Sequence, residues 1–182
     1  KCAKCARKSF LFPNRCPNLN HSHENILELY KRIGKIKGVK RSFVGSGIRY
    51  DLFLDKDGFL DDTSYPYFKE GVTRHTSGWF KVAPEHTEDK VLKLMAKPPF
   101  ALFSVLRREF DNLMRKEKLN YKIVPYFISS HPGCELNDMI ALSQNKDLKG
   151  ISLEQVQDFT PTPMTASSAM FYSGMDTRGE KP

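Results

Sequence analysis

Residues 123–133, Ile123-Val124-Pro125-Tyr126-Phe127-Ile128-Ser129-Ser130-His131-Pro132-Gly133, decide the fold. An apolar run with no helical period, stopped by a Ser-Ser-His-Pro-Gly turn, reads as a short buried strand. Leu136, Met139 and Ile140 then follow at helical spacing, so strand, turn and helix form one β/α unit.

The same grammar runs outward in both directions. Upstream, Trp79-Phe80-Lys81-Val82-Ala83 is an apolar strand stopped by Pro84. Thr87 can cap a helix carrying Glu88 and Asp89 in its first turn and Val91, Leu92 and Met95 inside. Pro98-Pro99 ends that helix, and a longer one over 101–118 places Leu102, Val105, Leu106, Phe110 and Leu113 on one side. Downstream, residues 153–159 read as a strand ending in Thr160-Pro161-Thr162-Pro163. Near the start, Ser22 can cap a helix through Ile26, Leu29, Tyr30 and Ile33, ended by Gly34 or Gly38. A strand is expected at 39–44, closed by Gly45-Ser46-Gly47. Between them, 51–78 is mixed, with a turn at Asp57-Gly58 and a short helix expected over 59–68.

Strands alternating with helices predict an α/β fold with a parallel sheet, in which the loops at the carboxyl ends of strands form the site. Those loops hold Gly45-Ser46-Gly47-Ile48-Arg49, Pro84-Glu85-His86, Ser129 to Gly133, and Asp158-Phe159-Thr160-Pro161. Gly45 to Arg49 combines close backbone approach with a hydroxyl and a guanidinium, suited to a carboxylate or a ribose; the alternative is a tight turn with Arg49 paired at the surface. Lys81, inside an apolar strand, needs a partner that Glu85 can supply, unless Glu85 serves a helix N-terminus. His131-Pro132-Gly133 presents free amides to an anion or simply opens a helix. A Glu-His pair would suit a hydrolase, yet no Ser or Cys lies in a nucleophile motif.

The chain carries a net charge of +8, concentrated in residues 1–41, where Glu24 and Glu28 are the only acids. Such a field attracts polyanions such as RNA, Lys31, Lys35 and Lys37 being the lysines to test, although a solvated helix face is the common cause. No apolar run approaches the ~20 residues of a membrane helix, so no membrane partner and a cytoplasmic location are expected. The cysteines are Cys2, Cys5, Cys16 and Cys134. Cys2, Cys5 and Cys16 give C-x2-C-x10-C, one ligand short of a tetrahedral metal site that His21 or His23 could complete. A zinc-stabilised module is therefore one reading. The chain opens at Lys1 without an initiator Met, as a piece of a longer protein would.

Several segments together resemble the YgiQ-like radical-SAM proteins. They are Cys16-Pro17-Asn18-Leu19-Asn20, Gly38-Val39-Lys40 leading to Gly45-Ser46-Gly47-Ile48-Arg49-Tyr50-Asp51-Leu52, Lys81-Val82-Ala83-Pro84-Glu85-His86-Thr87, Pro125 to Gly133, and Gln155 to Pro163. The resemblance implies an α/β chain forming the C-terminal part of a partial (β/α)6 TIM-like barrel. Residues 1–22 would be a basic Cys-rich loop, 23–163 barrel strands three to six with their helices, and 164–182 the start of a C-terminal extension. It further implies a [4Fe–4S] cluster on a C-x3-C-x2-C motif that this chain lacks, expected upstream of Lys1. S-adenosylmethionine would be cleaved to a 5′-deoxyadenosyl radical, with an external reductant and an unknown substrate; this fragment alone would be inactive.

By the same resemblance, Ser46, Gly47, Arg49, Lys81 and Glu85 would face the polar groups of S-adenosylmethionine. Ile128, Ser130 and His131 would pack its adenine, with Gln157 and Phe159 near the adenine edge. Phe10 stands where such proteins usually carry a cysteine, a departure that weakens a metal role for Cys2, Cys5 and Cys16. A barrel short of two strands also exposes a parallel edge, which favours aggregation or pairing with another chain.

Overall fold

A computed structural model describes residues 5–6 and 9–182. Helix α1 spans Glu24–Gly34, and a 3-10 turn at Tyr50–Leu52 precedes a two-stranded hairpin, β1 (Leu54–Asp55) with β2 (Gly58–Phe59). Then come α2 (Ser64–Arg74), β3 (Trp79–Glu85), α3 (Asp89–Leu94) and α4 (Ala101–Glu117). The chain closes with β4 (Lys122–Ser129), α5 (Leu136–Ser143), a 3-10 turn at Lys146–Leu148, β5 (Gln155–Asp158) and α6 (Ala166–Ser173).

Strands β3, β4 and β5 form one parallel sheet in chain order. Parallel neighbours need a crossover, and the helices between these strands supply it. Ile48 adds an isolated parallel bridge to Val82, on the edge of β3 away from β4. The order therefore advances in one direction, without the reversal that marks a doubly wound sheet. No closed barrel forms among the described residues.

The core lies on one face of this sheet. Phe80, Val82 and Phe127 are buried against Phe68 and Val72 of α2, Phe103, Leu106, Phe110 and Leu113 of α4, and Leu142 of α5. Phe80 and Phe110 stack at 5.8 Å between centroids, and Phe68 meets Phe80 edge-on. Each such side chain contributes about 1.5–3 kcal/mol on burial. The opposite face carries Lys81 and Ala83 of β3, Tyr126 and Ile128 of β4, and Gln157 of β5, all partly or fully exposed.

Several expectations need correction. Thr87 does not cap α3: Glu88 stands at the cap position, and the Thr87 hydroxyl donates to the Glu88 carboxylate. Residues 39–45 form no strand: the Val44 N–H donates to the His75 carbonyl at the end of α2, and sheet pairing begins only at Ile48. The helix expected over 59–68 begins at Ser64, because Asp61 Oδ1 accepts from the N–H and the hydroxyl of both Thr63 and Ser64. Phe59 instead pairs with Leu54 around the Asp57-Gly58 turn. Finally, β3 runs through Pro84 to Glu85, tolerating the proline at a register shift between Val82 and Glu85.

Candidate functional site

Parallel strands bring the loops after β3, β4 and β5 to one rim. At its centre is His86, fully buried immediately after β3. Its Nδ1 accepts from the Glu88 N–H at 3.0 Å, so the neutral ring carries its proton on Nε2, 3.5 Å from Cys134 Sγ. Burial holds the His86 pKa below the ordinary histidine value, against the opposing pull of Asp138 and Glu88. Burial and the Asp138 charge push the Cys134 thiol up. Cys134 is thus a neutral thiol beside a neutral imidazole, the reverse of an activated cysteine nucleophile.

His131 is buried after β4 with the opposite tautomer. Its Nδ1 donates to the Pro132 carbonyl at 2.8 Å, and its Nε2 accepts from the Ser167 hydroxyl at 2.8 Å. Burial lowers its pKa as well, with the Pro132 carbonyl opposing. A serine on an imidazole is half of a hydrolytic triad, but here the second ring nitrogen meets a neutral carbonyl rather than a carboxylate. Phe159, at the end of β5, lies edge-on to His131 at 5.1 Å, and Phe171 of α6 packs on Phe159. Residues 164–182 thus fold back over the rim.

Below this lies a polar brace. Asp138 Oδ2 accepts from the Glu135 N–H at 2.8 Å while Glu135 caps the same helix start, and Lys90 Nζ reaches Asp138 Oδ1 at 2.9 Å. Burial alone would raise the Asp138 pKa; the Glu135 amide and Lys90 bring it below the ordinary carboxylate range.

The residues expected at the site fall into two groups. Lys81, Ile128 and Gln157 share the open face of the sheet, with Ile128 opposite Gln157 in register. Ser130 and His131 follow directly, Ser130 in the left-handed region at φ 58°. Glu85 leaves this group: the register shift sets it opposite Phe127, and its Oε1 accepts from Lys97 Nζ at 2.8 Å. Lys81 Nζ instead reaches the Gly45 carbonyl at 3.4 Å. The anticipated Lys81–Glu85 pair does not form.

Gly45, Ser46 and Gly47 precede the Ile48–Val82 bridge and lie alongside β3, short of its carboxyl end; a Cβ on Gly47 would sit 3.4 Å from Ala83 Cβ. Arg49, one residue past the bridge, makes a bidentate pair with Asp51, at 2.7 Å from Nε to Oδ1 and 2.8 Å from Nη2 to Oδ2. Arg49 is thus paired within the chain, in a partly buried position.

The cysteine-rich start gathers no metal site among the described residues. Cys2 lies outside them; Cys5 is exposed and Cys16 buried. His21 Nδ1 bonds Asp61 Oδ2 at 2.7 Å, and His23 stacks on Tyr67 at 4.2 Å. No described helix is long and apolar enough to cross a membrane.

Sequence reasoning passed over the burial of His86, the brace of Lys90 and Asp138, and Ser167. Glu135 and Asp138, three residues apart ahead of an apolar run, were a legible capping box. Nothing local points from Ser167 to His131, thirty-six residues earlier.

No family model matches the chain, and no solved structure does. Among curated proteins, a UPF0313 protein of Bacteroides thetaiotaomicron is 48% identical over 175 residues, covering 95% of this chain and 28% of that protein. One from Porphyromonas gingivalis is 45% identical over the same share of both chains. One from the archaeon Methanosarcina acetivorans is 41% identical over 172 residues, covering 94% of this chain and 22% of its own length. The chain is similar to UPF0313 proteins along nearly its whole length. It spans about a quarter of the length of these relatives. The aligned stretch takes in the whole three-stranded sheet and its rim, so the UPF0313 likeness covers the candidate site as well as the core.

Proposed function

We propose that this chain is the S-adenosylmethionine-holding part of a radical-SAM iron–sulfur enzyme, built as a fragment of a TIM-like barrel. The observation that carries this reading is the sheet: parallel strands advancing in chain order, helices on one face, and an open face bearing Lys81, Tyr126, Ile128 and Gln157 below a polar rim. In a barrel that open face becomes the interior, and the carboxyl-end loops become the site. The likeness to much longer UPF0313 proteins fits a piece whose remaining strands lie elsewhere in a longer chain.

The side chains present suit the cofactor's chemistry. Ile128 offers an apolar floor beside the amide of Gln157, a pairing able to seat a purine and read its polar edge. The Lys81 ammonium, held among the described residues only by the Gly45 carbonyl at 3.4 Å, can meet a carboxylate. Burial lowers the pKa of His86 and His131, so neither adds a positive charge to the rim near neutral pH. Phe159 and α6 cover the rim and limit water. When bound, S-adenosylmethionine and a reduced [4Fe–4S] cluster would supply hydrogen abstraction, which no side chain here can perform. The chain contains no C-x3-C-x2-C, so in this reading the cluster ligands belong to the rest of the longer protein.

Anaerobic cluster reconstitution of the longer protein, followed by reduction in the presence of S-adenosylmethionine, tests the proposal. Release of 5′-deoxyadenosine is the expected result. A protein that takes up no cluster and yields none sinks it.

A further inference from the structure

The amino end of the sheet, opposite the rim, carries a second feature. His75 and Tyr121, which precede β3 and β4, form the back of a cleft of about 580 Å³ between α1, α2 and the 39–42 segment. Its walls hold Lys31 and Lys35 from α1, Lys40 and Arg41 from the segment after it, and Arg74 from the end of α2. Tyr30 stacks on His75 at 3.9 Å, and His75 Nδ1 lies 2.9 Å from the Ser42 carbonyl, so helix and segment are both pinned to the cleft.

The charge here is one-sided. Among the described residues Glu70 is the only acid lining the cleft, and it already meets Arg74 at 3.5 Å and His75 at 3.6 Å. Lys31, Lys35, Lys40 and Arg41 are exposed and have no ion pair among the described residues. Lys31 and Lys35 stand four residues apart, on one helix face. Arg32 and Lys37 continue the positive stretch beyond the cleft with no acid between 29 and 50. A fold gains nothing by gathering like charges in a concavity, since they repel at short range.

We propose that this cleft binds the phosphate backbone of a single-stranded nucleic acid. A concave cationic track suits a single strand, whose backbone enters a groove, whereas a duplex is met by an element protruding into it. The further exposed charges of Arg32 and Lys37, outside the cleft lining, favour a polyanion over a small phosphate. Four unpaired cations in reach of four phosphates set the expected behaviour: affinity should fall with salt with a log–log slope of between about −2 and −3, at ~0.7 per phosphate contacted.

The test is fluorescence anisotropy of a labelled oligouridylate titrated with the full 182-residue chain between about 50 and 200 mM salt. Joint substitution of Lys35→Glu, Lys40→Glu and Arg41→Glu, all exposed, should weaken binding at least tenfold and flatten the slope. Lys56→Glu, exposed in the β1–β2 turn and outside the cleft lining, should change neither. Unchanged affinity in the triple variant, with circular dichroism showing a native fold, would overturn the proposal. So would displacement of the RNA by a nucleoside diphosphate at equal phosphate concentration, or by anionic phospholipid vesicles.

Discussion

Glu85 Oε1 accepts a hydrogen bond from Lys97 Nζ at 2.8 Å, tying the end of β3 to the loop that joins α3 to α4. Both side chains are largely buried, at 14% and 22% exposure, and Glu85 sits at φ 69°, where a non-glycine residue is strained. Lys97→Ala leaves the carboxylate without its partner and should cost about 2–3 kcal/mol. Glu85→Gly should cost less, because glycine relieves about 1 kcal/mol of backbone strain and the freed ammonium can turn to water. Urea unfolding of both variants checks the order; a costlier Glu85→Gly would show that the backbone at Glu85 is unstrained.

Three histidines set the acid side of stability. Burial lowers the pKa of His23, His86 and His131 from 6.5 in the folded protein. Above 6.5 both states are neutral there and the contribution is fully present. As pH falls below 6.5 the unfolded chain takes up protons that the folded one refuses. Stability is then lost, by up to about 1.4 kcal/mol per pH unit for each histidine, until the folded values are reached. Denaturation midpoints should be level from pH 7 to 8 and drop between pH 7 and 5. His86→Asn, which keeps an acceptor for the Glu88 N–H, should reduce that drop; an unchanged drop would remove His86 from the account.

Gly133 answers for the turn after β4. It has φ 83°, and a Cβ there would lie 2.4 Å from Leu94 Cδ1 and 3.0 Å from the Pro182 carbonyl carbon. Gly133→Ala should destabilise by about 2–4 kcal/mol, combining a positive-φ penalty with overlap. In a Leu94→Ala background the steric part shrinks while the backbone part stays, so the two substitutions should couple in thermal melts. Strict additivity would mean Leu94 is not what the new methyl meets.

Asp61 ties the first segment to the core. Burial would raise its pKa, but the hydroxyls of Thr63 and Ser64, the Thr63 amide and His21 bring it well below the ordinary carboxylate range. Asp61→Ala frees the start of α2 and releases His21 together, at a cost of about 2 kcal/mol. Asp61→Asn keeps an acceptor for the amides and should cost less. Hydrogen exchange at the first turn of α2 should quicken in the alanine variant alone.

The sequence showed β3 and β4 clearly, because each is a short apolar run closed by a turn; β5, Gln155-Val156-Gln157-Asp158, falls inside the stretch expected at 153–159 but is mostly polar. The sequence also showed the length of α4 and most of its inner face, Leu106, Phe110 and Leu113 being buried in the core. Phe103 and Met114 are buried and Leu102 and Val105 only half so, since helical period is local while the buried face is chosen by the sheet. The segment at 39–45 forms no strand although Val39, Phe43 and Val44 suit one, because no strand among the described residues pairs with them. At the site, Lys81 was legible as a lone charge inside an apolar strand, whereas Ile128 and Gln157 were named only through the family resemblance. The partner of Glu85 was not legible, because the register shift that turns it to Lys97 leaves no mark in the pattern beyond Pro84.

That shift yields a test of the proposed cofactor site. If S-adenosylmethionine lies on the open face, Lys81→Met and Gln157→Ala in the reconstituted longer protein should each weaken its binding by about tenfold, the loss of one hydrogen bond to a charged or polar group. Glu85→Gln removes a charge whose partner is Lys97, on the far side of the shift, and should leave affinity within about twofold while lowering stability. Calorimetric titration of the three variants separates the faces. Loss of binding in Glu85→Gln with Lys81→Met unaffected would place the cofactor against the rim at Glu85 and require the Lys97 pair to open when it binds.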